Sequence, residues 1–121
     1  MISDTNKSAN LSVILPTYNE SKNIVPMIHS LLALDSIYNL EILIVDDNSS
    51  DGTASLVRSI AQQDRRIRLL HRFDRIGLSS AIKEGLLNAT GDLVAVMDSD
   101  GQHEPDAVIQ ALRKLKKERL D

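Results

Sequence analysis

The sequence predicts an α/β fold, a mostly parallel sheet with helices on both faces. Short apolar runs alternate along the chain with segments whose apolar residues recur at helical spacing. The runs have apolar residues on both faces, which is typical of strands buried on both sides of a parallel sheet. Polar residues follow directly after the runs, at the strand ends where such sheets bind ligands. The fold class therefore also predicts where a functional site should lie.

Four mainly apolar runs are predicted as strands, at residues 11–15, 42–45, 67–70 and 93–97. Pro16 directly follows the first run and is expected to stop it, because proline has no N–H for a sheet hydrogen bond. The polar residues 1–10 are predicted to form a flexible tail, so that one domain occupies residues 11–121.

Three segments between these runs have apolar residues at helical spacing and are predicted as helices, at residues 21–34, 53–61 and 78–89. Asp51 is a fair N-cap for the second helix, and Gly91 is expected to close the third. A further helix is predicted to begin near Pro105, since proline favours the first helical turn. No strand follows this helix, so the chain is expected to be the truncated first half of a larger enzyme.

Composition restricts the possible partners. The 121 residues suffice for one domain, and 14 basic against 17 acidic residues argue against a nucleic-acid partner held by charge. Without cysteine there is no thiolate metal site, so a metal would be held by oxygen or histidine ligands, which suits Mg²⁺ or Mn²⁺. No apolar run approaches the roughly 20 residues of a membrane span. A cytoplasmic protein is expected, with any membrane contact made through missing C-terminal parts.

Asp98 and Asp100 lie one residue apart after the fourth run. Two like charges there are costly unless a cation or a donor-rich ligand compensates them. Gly101 permits a bend that lets both carboxylates converge on a divalent ion, and Gln102 adds a neutral oxygen. Such ions often complete their coordination with substrate phosphates, which suggests a phosphorylated ligand. A solvated turn is the alternative for an isolated D-x-D pattern. His103 could be a further ligand or donor, but it is rather expected to cap a helix or to contact the ligands from outside.

A second acidic pair, Asp46 and Asp47, follows the second run. The segment DNSSDGT that begins at Asp47 is rich in residues that form Asx turns, so a capped turn is one explanation. A carboxylate at a strand end can also accept a hydrogen bond from the ring N–H of a nucleobase or from ribose hydroxyls. We predict that Asp47 contacts the ligand and that Asp46 is structural.

Three further residues near predicted strand ends have two possible roles each. Tyr18 could pack under a loop or offer a platform for a base. Arg72 and Arg75 precede Gly77 and could face phosphates, although solvated surface is the default for a loop arginine.

The segments VILPTYNE, LIVDDNSSDGT, HRFDRIGLSSAIKEGL and VMDSDGQHEPD together resemble glycosyltransferase family 2. The resemblance is greatest to its dolichol-phosphate mannosyltransferase and polyprenyl-phosphate glycosyltransferase branch. It implies a GT-A fold, a nucleotide-binding α/β sandwich, and metal-dependent transfer of a sugar from a nucleoside-diphosphate sugar. The implied acceptor is a polyprenyl (dolichyl) phosphate at a membrane surface, with a saccharide hydroxyl as the alternative.

By position, the resemblance assigns nucleotide-sugar contacts to Pro16, Tyr18, Glu20, Asp47, Arg75, Asp98 and Asp100. It assigns the divalent metal, Mg²⁺ or Mn²⁺, to Asp98, Asp100 and Gln102. The acceptor site and any catalytic base belong to the family's second half, so the catalytic residues are unknown and the chain alone is expected to be inactive.

Two distant alternatives share parts of the pattern. A haloacid dehalogenase-type phosphatase has a strand ending in D-x-D-G, but its nucleophile stands at the start of the domain, whereas three β-α units precede Asp98. A phosphoacceptor receiver domain has its acidic pair after the first strand and a lysine after the fifth, whereas Asp46 and Asp47 follow the second run. Stabilisation by nucleoside diphosphates with Mn²⁺, rather than by beryllofluoride, would separate the sugar transferase from both.

Overall fold

The computed structural model describes residues 9–74 and 77–97 of the chain. The elements are β1 (Asn10–Thr17), α1 (Ile24–Leu31), a 3₁₀ helix (Leu32–Ser36), β2 (Asn39–Asp46), α2 (Thr53–Gln63), β3 (Ile67–His71), α3 (Leu78–Asn88) and β4 (Leu93–Val96). In these parts of the chain, no helix has the length and apolar character that a membrane crossing requires.

The four strands form one parallel sheet in the order β3-β2-β1-β4. The central pair β1 and β2 is in register from Asn10 opposite Asn39 to Thr17 opposite Asp46. On the other side of β1, pairing with β4 extends to Ile14 opposite Val96. The predicted parallel α/β sheet is confirmed, and the carboxyl ends of its strands lie at one edge.

The two faces of β1 pack against different helices. Leu11, Val13 and Leu15 are fully buried in the cluster that contains residues of α1 and α2. Ile14 points the other way, into the cluster that contains Ala81 of α3, because successive side chains of a strand lie on opposite faces. Burial of each such aliphatic side chain contributes about 1.5–3 kcal/mol. The central strand is thus buried on both faces, and this packing fixes the position of the residues at its carboxyl end.

β1 is longer than predicted, because Pro16 does not stop it. The strand continues to Thr17, whose carbonyl accepts a hydrogen bond from Asp47 N at 3.0 Å, on the β2 side. Adjacent residues of a parallel strand bond to opposite neighbours, so Pro16 faces β4. There, Met97 N donates to Ile14 O at 3.0 Å, and Pro16 lacks the N–H for the next bond. Proline therefore interrupts only the β4 side of the ladder.

The helices differ from the prediction at their ends. The stripe at 21–34 is divided into α1 and the 3₁₀ helix, and α1 begins only at Ile24. The N-cap of α2 is Gly52, with a φ of 90°, rather than Asp51, because a left-handed backbone there favours glycine.

Gly91 does not close α3, which ends at Asn88 and is followed by Ala89 in extended conformation. Instead, Gly91 lies against β1: a Cβ at this position would be 2.7 Å from Ser12 N and 2.9 Å from Asn10 O. Its N–H donates to Ser12 Oγ at 2.8 Å. Glycine is required here for close packing of two backbones.

Candidate functional site

Polar side chains gather at the carboxyl edge of the sheet, where β1, β2 and β3 end side by side. Thr17 ends β1, Asp46 ends β2 and is followed by Asp47, and Arg72 follows β3. All four residues are buried. Since the strands are parallel, this is the edge at which α/β sheets bind ligands.

Asp46 is fully buried and is satisfied by neighbouring groups. Thr17 Oγ1 donates to its Oδ1 at 2.6 Å, and Ser49 donates through both its backbone N, at 2.9 Å, and its Oγ, at 2.6 Å. These bonds tie the end of β1 to the turn after β2, where Asn48 has a φ of 59°. Asp46 therefore fixes the backbone at the site.

Asp47 has a different environment. Its side chain is 7% exposed, and its Oδ2 accepts a hydrogen bond from Gly77 N at 3.0 Å. Arg72 Nε lies 3.0 Å from Asp47 Oδ1, but the N–H is not directed at that oxygen. The contact is a close charge pair without an aligned hydrogen bond, and Oδ1 is itself buried beside Arg72.

Arg72 is buried behind the site, with only 4% of its side chain exposed. The default expectation of solvated surface for this arginine is wrong. Its backbone N donates to Asp46 O at 2.8 Å, which continues the β2–β3 ladder and directs the chain inward. Among the described residues, its Nε, Nη1 and Nη2 have no aligned hydrogen-bond partner. A buried cation needs a counter-charge, and Asp47 provides it.

A cleft of about 150 Å³ opens at this edge. It is lined by Pro16, Thr17, Tyr18, Glu20, Asp47, Leu78 and Ala81. Four of these were predicted as nucleotide contacts: Pro16, Tyr18, Glu20 and Asp47. Tyr18 is 42% exposed, so it is not buried beneath a loop. Leu78 and Ala81 come from the beginning of α3, which therefore also contributes to the wall of the cleft.

The remaining predicted site residues, Arg75, Asp98, Asp100 and Gln102, lie outside the described residues. Within residues 9–74 and 77–97, no three histidine or acidic side chains come together in a way that could hold a metal ion. The hydrogen bond from Met97 to Ile14 leads the chain out of β4 at the edge where the cleft lies. Two carboxylates and an amide oxygen are a donor set that suits Mg²⁺ or Mn²⁺.

A larger groove, of about 420 Å³, lies at the opposite edge of the sheet. Its charged residues are already paired: Arg66 lies 3.3 Å from Asp35 and 2.7 Å from Asp64. Glu41 accepts hydrogen bonds from Ser12 Oγ at 2.6 Å, Arg68 Nη1 at 2.6 Å and Thr90 N at 3.1 Å. Burial alone would raise the pKa of Glu41, but these donors and the charge of Arg68 bring it below its ordinary value. This network joins strands and is structural.

Comparison with known proteins identifies the family. Residues 12–121 match the family model described as Glycosyl transferase family 2. The chain belongs to glycosyltransferase family 2. The dolichol-phosphate mannosyltransferase of Saccharomyces cerevisiae is 37% identical over 111 residues, which cover 89% of this chain and 42% of that relative. The resemblance deduced from the four sequence motifs is thereby confirmed.

Solved glycosyltransferases share the fold. The mannosyltransferase PcManGT from Pyrobaculum calidifontis, in complex with GDP-Man and Mn²⁺, matches with a TM-score of 0.66 and 32% identity, over 76% of this chain and 28% of that one. Glucosyl-3-phosphoglycerate synthase from Mycobacterium tuberculosis, in complex with Mn²⁺, UDP and phosphoglyceric acid, matches with a TM-score of 0.69 and 27% identity, over 94% and 41%. The GT-A prediction is confirmed. The chain spans between 30% and 42% of the length of the curated relatives it matches.

Proposed function

We propose that this chain is the nucleotide-sugar-binding part of a metal-dependent glycosyltransferase that transfers a sugar to a polyprenyl (dolichyl) phosphate. The observation that supports binding of a nucleotide-sugar donor is the position of Asp47, an acidic side chain buried in the wall of the cleft beside Arg72. Such a pair is costly to desolvate and contributes little to stability compared with apolar packing. Its position in a cleft at the binding edge favours a role in recognition.

The chemistry of Asp47 restricts the base. Its Oδ1 is buried beside Arg72, whereas Oδ2 accepts one hydrogen bond, from Gly77 N, and has a second lone pair for a donor on the ligand. Guanine and uracil each present a ring N–H next to a carbonyl, and a carboxylate can accept from that N–H. The ring nitrogens at the corresponding edges of adenine and cytosine carry a lone pair, which the carboxylate would repel. Neighbours solved with GDP-Man and with UDP support guanine or uracil.

The other cleft residues would hold the rest of the donor. Tyr18 offers an exposed ring beside Asp47, suited to stacking on a base. Glu20 lines the same cleft and can accept hydrogen bonds from ribose hydroxyls. A divalent ion held by Asp98, Asp100 and Gln102 would neutralise charge on the leaving diphosphate. Mn²⁺ in the two structural neighbours named above supports a divalent ion in the donor site.

The acceptor proposal has a chemical basis as well as a family basis. Curated relatives at 34–37% identity carry the name dolichol-phosphate mannosyltransferase. A phosphate acceptor is already ionised at neutral pH, so it needs less help from a general base than a hydroxyl does. A saccharide hydroxyl is the second candidate, and it would require a base in the remainder of the enzyme.

Calorimetric titration of the chain with GDP, UDP, ADP and CDP, each with and without Mn²⁺, tests the donor side. We expect binding of GDP or UDP that Mn²⁺ strengthens, and loss of that binding in Asp47→Asn. Asp35→Asn removes the same charge at the opposite edge of the sheet and is the matched control. Equal affinity for ADP or CDP, or no binding of any nucleotide, would refute the donor assignment.

The acceptor is tested in a longer protein that contains this chain. Labelled GDP-mannose and UDP-glucose are offered with polyprenyl phosphate or with soluble saccharides, and lipid-extractable label is counted. We expect label in the lipid fraction. Transfer to saccharide alone would contradict the lipid acceptor and leave the family assignment intact.

A further inference from the structure

The loop that carries Tyr18 and Glu20 is held by the segment after β2. Three consecutive backbone N–H groups, those of residues 19–21, each donate to a side-chain oxygen within residues 49–53. The pairs are Asn19 to Ser49 Oγ at 2.8 Å, Glu20 to Thr53 Oγ1 at 3.0 Å and Ser21 to Asp51 Oδ2 at 3.0 Å. In return, Asn19 Oδ1 accepts from Ser50 N at 2.9 Å. The two loops are thus joined along their length.

The accepting hydroxyl groups are themselves oriented by carboxylates. Ser49 Oγ donates to Asp46 Oδ1, and Thr53 Oγ1 donates to Asp51 Oδ1. Each hydroxyl proton is therefore directed away from the loop, which leaves a lone pair for the loop N–H. Both chains run from backbone N–H to hydroxyl to carboxylate, and this polarity strengthens each bond.

Asp51 has the central place in this arrangement. Its two oxygens accept from Ser21 N at 3.0 Å, from Thr53 N at 3.1 Å and from Thr53 Oγ1. The Thr53 hydroxyl foremost, with the donors of Ser21, lowers the pKa of Asp51 to about 2. The side chain is exposed, but it is ionised, and an acceptor only, at any pH near neutral.

We propose that Asp51 and Thr53 are positioning residues for nucleotide binding, because they hold residues 18–21 in the conformation that faces Tyr18 and Glu20 toward the cleft. This inference rests on the proposed donor function. The loop includes Asn19 with a φ of 54°, a conformation uncommon outside glycine. A loop already fixed in this form loses less conformational freedom when a ligand binds, and affinity rises accordingly.

Two substitutions at Thr53 separate the hydroxyl from the shape of the side chain. Thr53 is fully buried; Thr53→Val keeps its volume and removes the acceptor of Glu20 N, whereas Thr53→Ser keeps the hydroxyl. Asp51→Asn changes an exposed residue, so it provides the test if Thr53→Val does not fold. We expect Thr53→Val and Asp51→Asn to raise the Kd for GDP or UDP by about 5- to 30-fold. Thr53→Ser should remain close to wild type.

Amide hydrogen exchange, followed by NMR, measures the protection of the loop N–H groups without any ligand. We expect faster exchange at residues 19–21 in Thr53→Val and Asp51→Asn, with unchanged protection of the strand residues Val13 and Leu43. The factor by which Mn²⁺ strengthens binding should stay at the wild-type value, because neither residue belongs to the proposed metal ligands. A general destabilisation of the fold would instead change the strand protection and the effect of Mn²⁺ as well.

The outcomes separate this inference from the donor function. If the wild-type chain binds a nucleotide and both variants bind it equally well, the positioning role is wrong and the donor function stands. Loss of affinity without faster exchange at residues 19–21 would also overturn the positioning role. If the wild-type chain binds no nucleoside diphosphate, the donor function fails and this inference fails with it.

Discussion

Substitution of Arg72 by methionine tests whether the buried charge pair at the cleft is a coupled unit. Arg72 and Asp47 have side chains 4% and 7% exposed, with Nε and Oδ1 3.0 Å apart. Two unit charges at this distance attract by about 5–6 kcal/mol at an effective dielectric constant of about 20. Arg72→Met keeps most of the buried volume but removes the counter-charge of Asp47, which then has only the hydrogen bond from Gly77 N among the described residues. We expect a loss of about 3–5 kcal/mol in the free energy of unfolding.

The double variant Arg72→Met/Asp47→Asn gives the decisive comparison. With both charges removed, no uncompensated ion remains inside, and replacing a buried pair by neutral groups is often tolerated. We expect the double variant to be less destabilised than the sum of the single variants by about 1–3 kcal/mol. Its nucleotide binding should nevertheless be lost, because Asp47 is the proposed base contact.

The free energies come from urea titrations followed by circular dichroism, with the slope checked for constancy across variants. Arg66→Met is the control, since Arg66 pairs with Asp35 and Asp64 while its side chain is 37% exposed. An exposed pair of this kind contributes about 0–1 kcal/mol. The reasoning is refuted if Arg72→Met costs no more than Arg66→Met, or if the two single costs add in the double variant.

Three further predictions concern packing, pH and metal. Gly91→Ala should lower the free energy of unfolding by about 1–3 kcal/mol in a urea titration, because its Cβ would be 2.7 Å from the backbone N of Ser12; an unchanged midpoint would contradict the close approach. The pKa of Glu41 is lowered from 4.5, so its contribution to stability is present above that value and is lost as pH falls through the folded pKa. The urea midpoint of the wild type should then fall more steeply below about pH 4.5 than that of Glu41→Gln, and parallel curves would exclude the contribution. Asp98→Asn or Asp100→Asn should abolish the effect of Mn²⁺ on nucleotide affinity while folding persists, and a variant that retained the effect would remove its residue from the metal site.

The sheet was predictable because its signal is local. The runs at 11–15 and 42–45 are apolar on both faces, and only a strand covered by helices on each side buries every residue of such a run. The site edge followed from the same reasoning, since parallel strands deliver their carboxyl ends together. Pro16, Tyr18, Glu20 and Asp47 therefore met at one cleft as their strand-end positions indicated.

The features that sequence reasoning missed depend on contacts between distant segments. Gly91 was predicted to end a helix, but it contacts Ser12, which is 79 residues away in the sequence. Arg72 was expected at a solvated loop surface, but its side chain is buried beside Asp47, which follows a different strand. No local pattern marks either contact. The helix stripe at 21–34 was correct in its apolar spacing, yet that spacing does not reveal the change to a 3₁₀ helix at Leu32.

The three acidic residues of the segment LIVDDNSSDGT show how neighbouring carboxylates acquire separate functions. Asp46 accepts three hydrogen bonds from Thr17 and Ser49, which leaves little capacity for a ligand. Asp51 is occupied by Ser21 and Thr53. Asp47 accepts one aligned hydrogen bond, at Oδ2, and lies beside the buried guanidinium of Arg72. Unused acceptor capacity, rather than acidity or exposure, therefore distinguishes the carboxylate that can bind a base from the two that hold the loops around it.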